Sequence, residues 1–131
     1  MIFLLDTNIC IPYLNGTDES LKVRFREVSL SGLRLCSVVQ AELLFGARKS
    51  DRVFENLRRL ESLFSLLPSF PFGEAAAHHY GVIRTQLEKD GTPIGGNDLM
   101  IAAIALNENA TLVTRNIKEF GRVAGLKVVE W

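Results

Sequence analysis

Three carboxylates and one amide hold unusual places in this 131-residue sequence. Asp6 ends the unbroken apolar run Met1-Ile2-Phe3-Leu4-Leu5. Glu42 sits among Val38, Ala41, Leu43, Leu44 and Phe45. Asp98 opens the apolar stretch Leu99 to Leu106, and Asn116 follows the short run Thr111-Leu112-Val113-Thr114. Carboxylates gathered in one place cannot all stay ionised without compensation. The partner that suits oxygen ligands is a hard divalent cation, Mg²⁺ or Mn²⁺. Such a centre lowers the pKa of a bound water and clamps a phosphoryl group, which is the chemistry of phosphodiester hydrolysis. Each residue alone has a plainer reading. Asp6 caps a helix, Glu42 pairs with a nearby Lys or Arg, Asp98 answers a helix dipole, and Asn116 makes a turn.

The elements that must position these groups follow from the apolar pattern. A short continuous apolar run suits a strand buried on both faces. Met1 to Leu5 is the first such strand, and Asp6 lies at its carboxyl end, where open α/β sheets bind ligands. Thr7 to Leu14 predicts a short helix ending near Asn15-Gly16. A second helix starts at Thr17-Asp18-Glu19-Ser20, with Leu21, Phe25 and Val28 inward. Leu33 to Cys36 predicts a strand. Ser37 and Gln40 form a capping box for a helix from Val38 to about Lys49 that carries Glu42. Arg52 to Phe64 predicts an amphipathic helix, and Pro68 to Gly73 a break. Glu74 to about Lys89 predicts a helix with Ala77, Tyr80, Ile83 and Leu87 on one stripe. The last long helix, with Asp98 in its first turn, is apolar nearly all round and belongs in the core. Gly95 and Gly96 before it permit close approach of backbone or ligand. Thr111 to Thr114 is a third core strand, Ile117 to Phe120 a turn or short helix, and Lys127 to Glu130 a final strand. This alternation predicts an α/β fold, a parallel sheet covered on both faces, in a single domain over residues 1–131.

Composition narrows the function classes. Hydrophobic residues make up 47% and charged residues 23%, a soluble profile. The net charge is zero, which disfavours a strongly basic nucleic-acid binder without excluding a local basic cleft. No apolar run is long enough to span a membrane, and no signal peptide is evident, so a cytoplasmic chain is expected. Cys10 and Cys36 then read as reduced, buried small hydrophobes. His78 and His79 are adjacent, lack zinc spacing, and read as helix-surface residues.

The order and spacing of several blocks carry a resemblance over nearly the whole chain. They are Leu5-Asp6-Thr7-Asn8, Ala41-Glu42-Leu43 with Gly46-Ala47, Gly91-Thr92-Pro93-Ile94-Gly95 through Asp98 to Ala103, and Leu112 to Asn116 with Glu119-Phe120. Together they resemble the PIN-domain ribonucleases, and more narrowly the VapC toxins of bacterial type II toxin–antitoxin pairs. The resemblance implies a PIN-like three-layer sandwich, with a central, mainly parallel sheet flanked by helices. It also implies a Mg²⁺- or Mn²⁺-dependent endoribonuclease whose catalytic set is Asp6, Glu42, Asp98 and Asn116. Metal ligation falls on Asp6 and Asp98, with Glu42 as ligand, metal support or water-orienting base.

Many PIN domains carry a fourth acid where this chain has Asn116; related toxins often keep Asn there. Glu119, one helical turn on, substitutes if its helix points it inward. Thr7, Asn8 and Thr114 are candidates to orient carboxylates or waters. Arg115, Lys118 and Arg122 are candidates for flanking phosphates. The partners implied are an RNA substrate, with a structured RNA such as tRNA as the family expectation, and a cognate VapB-type antitoxin whose segment crosses the toxin groove. A homodimer and a higher toxin–antitoxin assembly are implied too, with Ile9, Ile11, Tyr13 and Leu14 as apolar surface available for pairing. Two other readings stay open: an inactive PIN fold that binds RNA or a protein, and a receiver-like module with a phosphorylatable Asp. Early placement of Asp6 and the lack of an adjacent acidic pair count against the second.

Overall fold

Leu4 and Leu5 are both fully buried in the first strand, β1 (Phe3–Leu5). Consecutive strand residues point to opposite faces, so both faces of the sheet are covered at this point. The structure, a computed structural model, describes residues 1–131. The other strands are β2 (Leu33–Cys36), β3 (Ser69–Phe70), β4 (Thr111–Val113) and β5 (Lys127–Val129), in the sheet order β3-β2-β1-β4-β5. Every pairing is parallel; Phe3 lies opposite Leu33 on one side and Thr111 on the other. β1 is therefore central, and the chain winds outward from it in both directions. The carboxyl ends of β1 and β4 meet at this reversal, the place where open α/β sheets form a crevice.

Seven helices flank the sheet: α1 (Thr7–Asn15), α2 (Glu19–Glu27), α3 (Ser37–Lys49), α4 (Val53–Leu66), α5 (Glu74–Lys89), α6 (Gly96–Asn107) and α7 (Ile117–Phe120). This is the three-layer α/β architecture expected from the alternation of strands and helices. One core cluster of 31 buried residues runs through it. α6 supplies Leu99, Ile101, Ala102, Ala103, Ile104 and Ala105 to that core, and its small alanines let α5 pack along it. Gly16 ends α1 in a left-handed conformation at φ 66°, with its N–H donating to the Tyr13 carbonyl. No helix is long and apolar enough to cross a membrane.

Several local expectations need correction. Pro68 to Gly73 is not only a break: Ser69 and Phe70 form an edge strand, helped by the Leu35 amide donating to the Pro68 carbonyl. Ser37 is the first residue of α3 and no capping box forms, because its hydroxyl accepts from the Phe72 amide at 3.1 Å. On α5 the buried alanine is Ala76, not Ala77. Val28 is the C-cap of α2 and lies just outside the helix, yet it still packs against the core in line with Leu21 and Phe25. Of the apolar residues in α1, Ile9 is core and Tyr13 stacks on Phe25 with centroids 3.9 Å apart, so Ile11 is the one left clearly exposed. Cys10 and Cys36 are free and buried. Burial raises both thiol pKa values, that of Cys36 to about 11, which keeps them as inert packing groups. His78 and His79 lie exposed on α5.

Candidate active site

Asp6 is the N-cap of α1, and both of its carboxylate oxygens are engaged. Oδ1 accepts from the Thr7 amide at 2.8 Å, and Oδ2 accepts from the Thr114 hydroxyl at 2.7 Å. The capping reading is thus correct, but it uses one oxygen. The second bond spans the β1–β4 reversal and fixes Asp6 against the residue that follows β4. Thr114, fully buried, also accepts from the Asn116 amide at 3.0 Å and from the Asn8 side chain at 3.3 Å. Its hydroxyl is the junction that ties residues 6–8 to residues 114–116.

Glu42, on the second turn of α3, is half-buried. It has no ion pair; its Oε1 accepts from the Thr7 hydroxyl at 2.8 Å. The greasy surroundings expected for it are only partial, since Ala41 and Phe45 turn to solvent. Asp98 stands in the first turn of α6, where the helix dipole supports a negative charge. Its pKa is nevertheless pushed up to about 7 by burial, by a hydrogen bond with Glu119, and by the charges of Glu119, Asp6 and Glu42. Burial and acidic neighbours therefore outweigh the helix terminus. Asp6 is raised as well, first by burial and then by Glu42 and Glu119, against the lowering effect of its two hydrogen bonds.

Glu119 enters this group through backbone and side-chain contacts that the sequence does not advertise. The Gly95 amide donates to its Oε1 at 3.0 Å and the Asn116 side chain donates to its Oε2 at 2.6 Å. These bonds hold its pKa below the usual carboxylate range, so the shared proton resides on Asp98. Asn116 thus presents a fourth acid instead of serving as one. The glycines before Asp98 are not demanded by sterics: a Cβ at Gly95 would only touch Asp98 and Glu119 at 4.0 Å, and at Gly96 it would meet nothing. Gly95 acts through its N–H.

The structure brings Asp6, Glu42, Asp98 and Glu119 within electrostatic reach of one another. No three of them lie at ligand spacing. The donor set is all oxygen, anionic and without a basic partner on Asp6, Glu42 or Asp98. Such a set fits Mg²⁺ or Mn²⁺, which needs only one or two direct carboxylates and keeps several waters. Of the nearby cations, Arg115 pairs with Asp18 at the start of α2, so it is not free for a phosphate in this arrangement. Arg122 reaches the Pro93 carbonyl at 3.3 Å and contributes to lowering Glu119; Lys118 is exposed.

Thr114→Val is isosteric and removes the junction. The substitution leaves Asp6 Oδ2 and the Asn116 amide unpaired in a buried place, so a loss of about 1–3 kcal/mol in urea unfolding is expected. Thr114→Ser, which keeps the hydroxyl, should lose clearly less. A larger loss in Thr114→Ser than in Thr114→Val would show that the methyl group, which valine keeps and serine lacks, outweighs the bond to Asp6.

Comparison with known proteins identifies the family. The PIN domain family matches residues 3–126. The chain is 40% identical over 132 residues to ribonuclease VapC2 of Rickettsia felis, covering all of this chain and 98% of that one. It is 39% identical over 131 residues to the tRNA(fMet)-specific endonuclease VapC of Shigella flexneri, covering 98% and 97%. Among solved structures, the DNA-bound VapBC complex of Salmonella typhimurium contains a chain that superposes with a TM-score of 0.94 at 36% identity, covering 100% and 98%. A central Asp-ended strand, an acid on each of two following helices and this full-length likeness together place the chain in the PIN-domain family, as a member of its VapC branch of toxin–antitoxin proteins.

Proposed function

We propose that this protein is a Mg²⁺- or Mn²⁺-dependent endoribonuclease, the toxin of a toxin–antitoxin pair. The observation that carries the reading is the gathering of Asp6, Glu42, Asp98 and Glu119 at one place with no basic partner on the first three, a charge imbalance that a divalent cation relieves. Asp6 and Asp98 would hold the ion, with Glu119 beside them, and Asn116 keeps Glu119 aimed. A bound ion would supply Lewis-acid stabilisation of charge developing on a phosphate oxygen. Glu42 has Oε1 fixed by Thr7, which leaves Oε2 to orient the attacking water and take its proton. Water oxygen bonds to phosphorus in line, the bond from phosphorus to the 3′-oxygen breaks, and the products carry a 5′-phosphate and a 3′-hydroxyl.

The relatives named as tRNA(fMet)-specific endonucleases make tRNA the first substrate to try. The related structures solved as VapBC complexes support a VapB-type antitoxin as the partner that restrains the activity. The test is purified, antitoxin-free protein with total RNA in Mg²⁺ or in excess chelator, beside Asp6→Ala. Discrete cleavage that needs both the ion and the carboxylate is expected. Undiminished cleavage by the variant, or in chelator, would refute the assignment.

A further inference from the structure

Phe45 is 66% exposed on α3, a helix whose opposite side is core. It lies one turn from Glu42, and the two share an open cavity of about 650 Å³ with Thr7, Val38, Asn97 and Met100. The neighbours matter. Thr7 fixes Glu42, and Asn97 immediately precedes Asp98 in the first turn of α6, so the cavity opens directly beside the carboxylates. Its walls are largely apolar, with an exposed amide from Asn97. Lys49 places its Nζ 5.7 Å from the centroid of the Phe45 ring, so the ring is accompanied by a positive charge. A flat aromatic face, a few polar groups and an adjacent cation match a nucleotide, base on the ring and phosphate by the ammonium. A purely apolar partner segment would gain nothing from Lys49.

We propose that Phe45 is a stacking platform for an unpaired nucleobase flanking the scissile phosphate, with Lys49 countering that nucleotide's phosphate. This rests on the nuclease reading and extends it to the form of the substrate. The cleaved strand enters with a base splayed out, so single-stranded loops are favoured over paired helices. Phe45 is a positioning residue, since it touches substrate away from the reacting atoms.

The probe is a single-stranded RNA octamer with 2-aminopurine at successive positions, bound to protein in which Asp98→Asn blocks cleavage. Quenching of fluorescence at one position is expected on binding. Phe45→Ala should abolish that quench and weaken binding about 5- to 100-fold, the scale of one lost base–aromatic stack. Phe45→Trp should restore both. Because the ring is exposed, unfolding midpoints of the variants should match, so a folding defect would be recognised. Position-independent fluorescence, or unchanged affinity in Phe45→Ala, overturns the platform even if the Asp98 protein still cleaves RNA. A Phe45→Ala protein that binds RNA normally but loses self-association or its protein partner shows the ring to be a protein interface, and also overturns it. Cation-independent cleavage by the parent protein refutes the metal dependence alone, and no cleavage refutes the nuclease reading, while a Phe45-dependent quench in either case still upholds the stacking contact.

Discussion

Asp98→Asn is expected to move activity and stability in opposite directions. Cleavage should fall by at least about 100-fold, the scale of removing one preorganised charge-stabilising group. Stability in chelator at pH 8 should rise. The folded chain holds the Asp98 proton to about pH 7, against 3.8 for a free carboxyl. Folded protein therefore binds more protons than unfolded protein between those values, and stability falls as pH rises through the window. Below the lower value the contribution is fully present; above pH 7 it is lost. Asp6 is shifted in the same direction. Glu119 is shifted the opposite way and offsets part of this effect. An amide at position 98 can still donate to Glu119 and never ionises. Asp98 is only half-buried, so the gain is discounted to about 1 kcal/mol, or ~4 °C in Tm for a domain of this size. Unfolding in chelator from pH 4.5 to 8 measures it: the wild type should lose stability across this range and the variant much less. Parallel curves would show that the acids do not strain the fold.

The frame of this site is legible in the residues, and the reason is burial. β1 and β4 are buried on both faces, so their sequences show unbroken apolar runs, and the polar residue that ends each run marks the strand's carboxyl end. Asp6 and Asn116 stand out on that ground, and Asp98 stands out because α6 is apolar all round. β3 carries no such mark: two half-buried residues between Pro68 and Pro71 are held by pairing with β2, a contact that no local pattern encodes. Ser37 looks like a cap for the same local reason and is diverted by the amide of Phe72, 35 residues away. Glu119 is the clearest case at the site. Its entry depends on the Gly95 amide, 24 residues distant, and on the Asn116 side chain, which from the sequence reads as a weak ligand. Arg115 shows the converse. It lies in the right place for a phosphate contact, but a carboxylate 97 residues earlier claims it. Residue type announces which groups are costly to bury; the partners that meet that cost are set by tertiary contacts.

Adding Mn²⁺ to metal-free protein is expected to raise Tm by about 10 °C at pH 8, for an ion concentration near 100-fold above Kd, which corresponds to about 2.7 kcal/mol of linkage. The same addition at pH 5.5 should give a far smaller shift. Protons and the ion compete for the same oxygens, and Asp98, with its pKa near 7, is protonated at the lower pH. The two experiments are coupled through one residue. If the acids repel each other in the absence of a cation, binding relieves the repulsion that Asp98→Asn removes by substitution. The variant should therefore respond weakly to Mn²⁺ at both pH values, and excess chelator should reverse the wild-type shift. Asp6→Asn should also respond weakly, although Oδ1 can remain as the cap of α1 and accept from Thr7. A non-ligating acid such as Asp18, which lies at the start of α2 with Arg115 and Ser20 as its partners, provides the control: Asp18→Asn should shift with Mn²⁺ as the wild type does. A wild-type response that is equal at both pH values, or that survives in both Asp6→Asn and Asp98→Asn, would place the ion elsewhere on the protein and remove these carboxylates from its coordination.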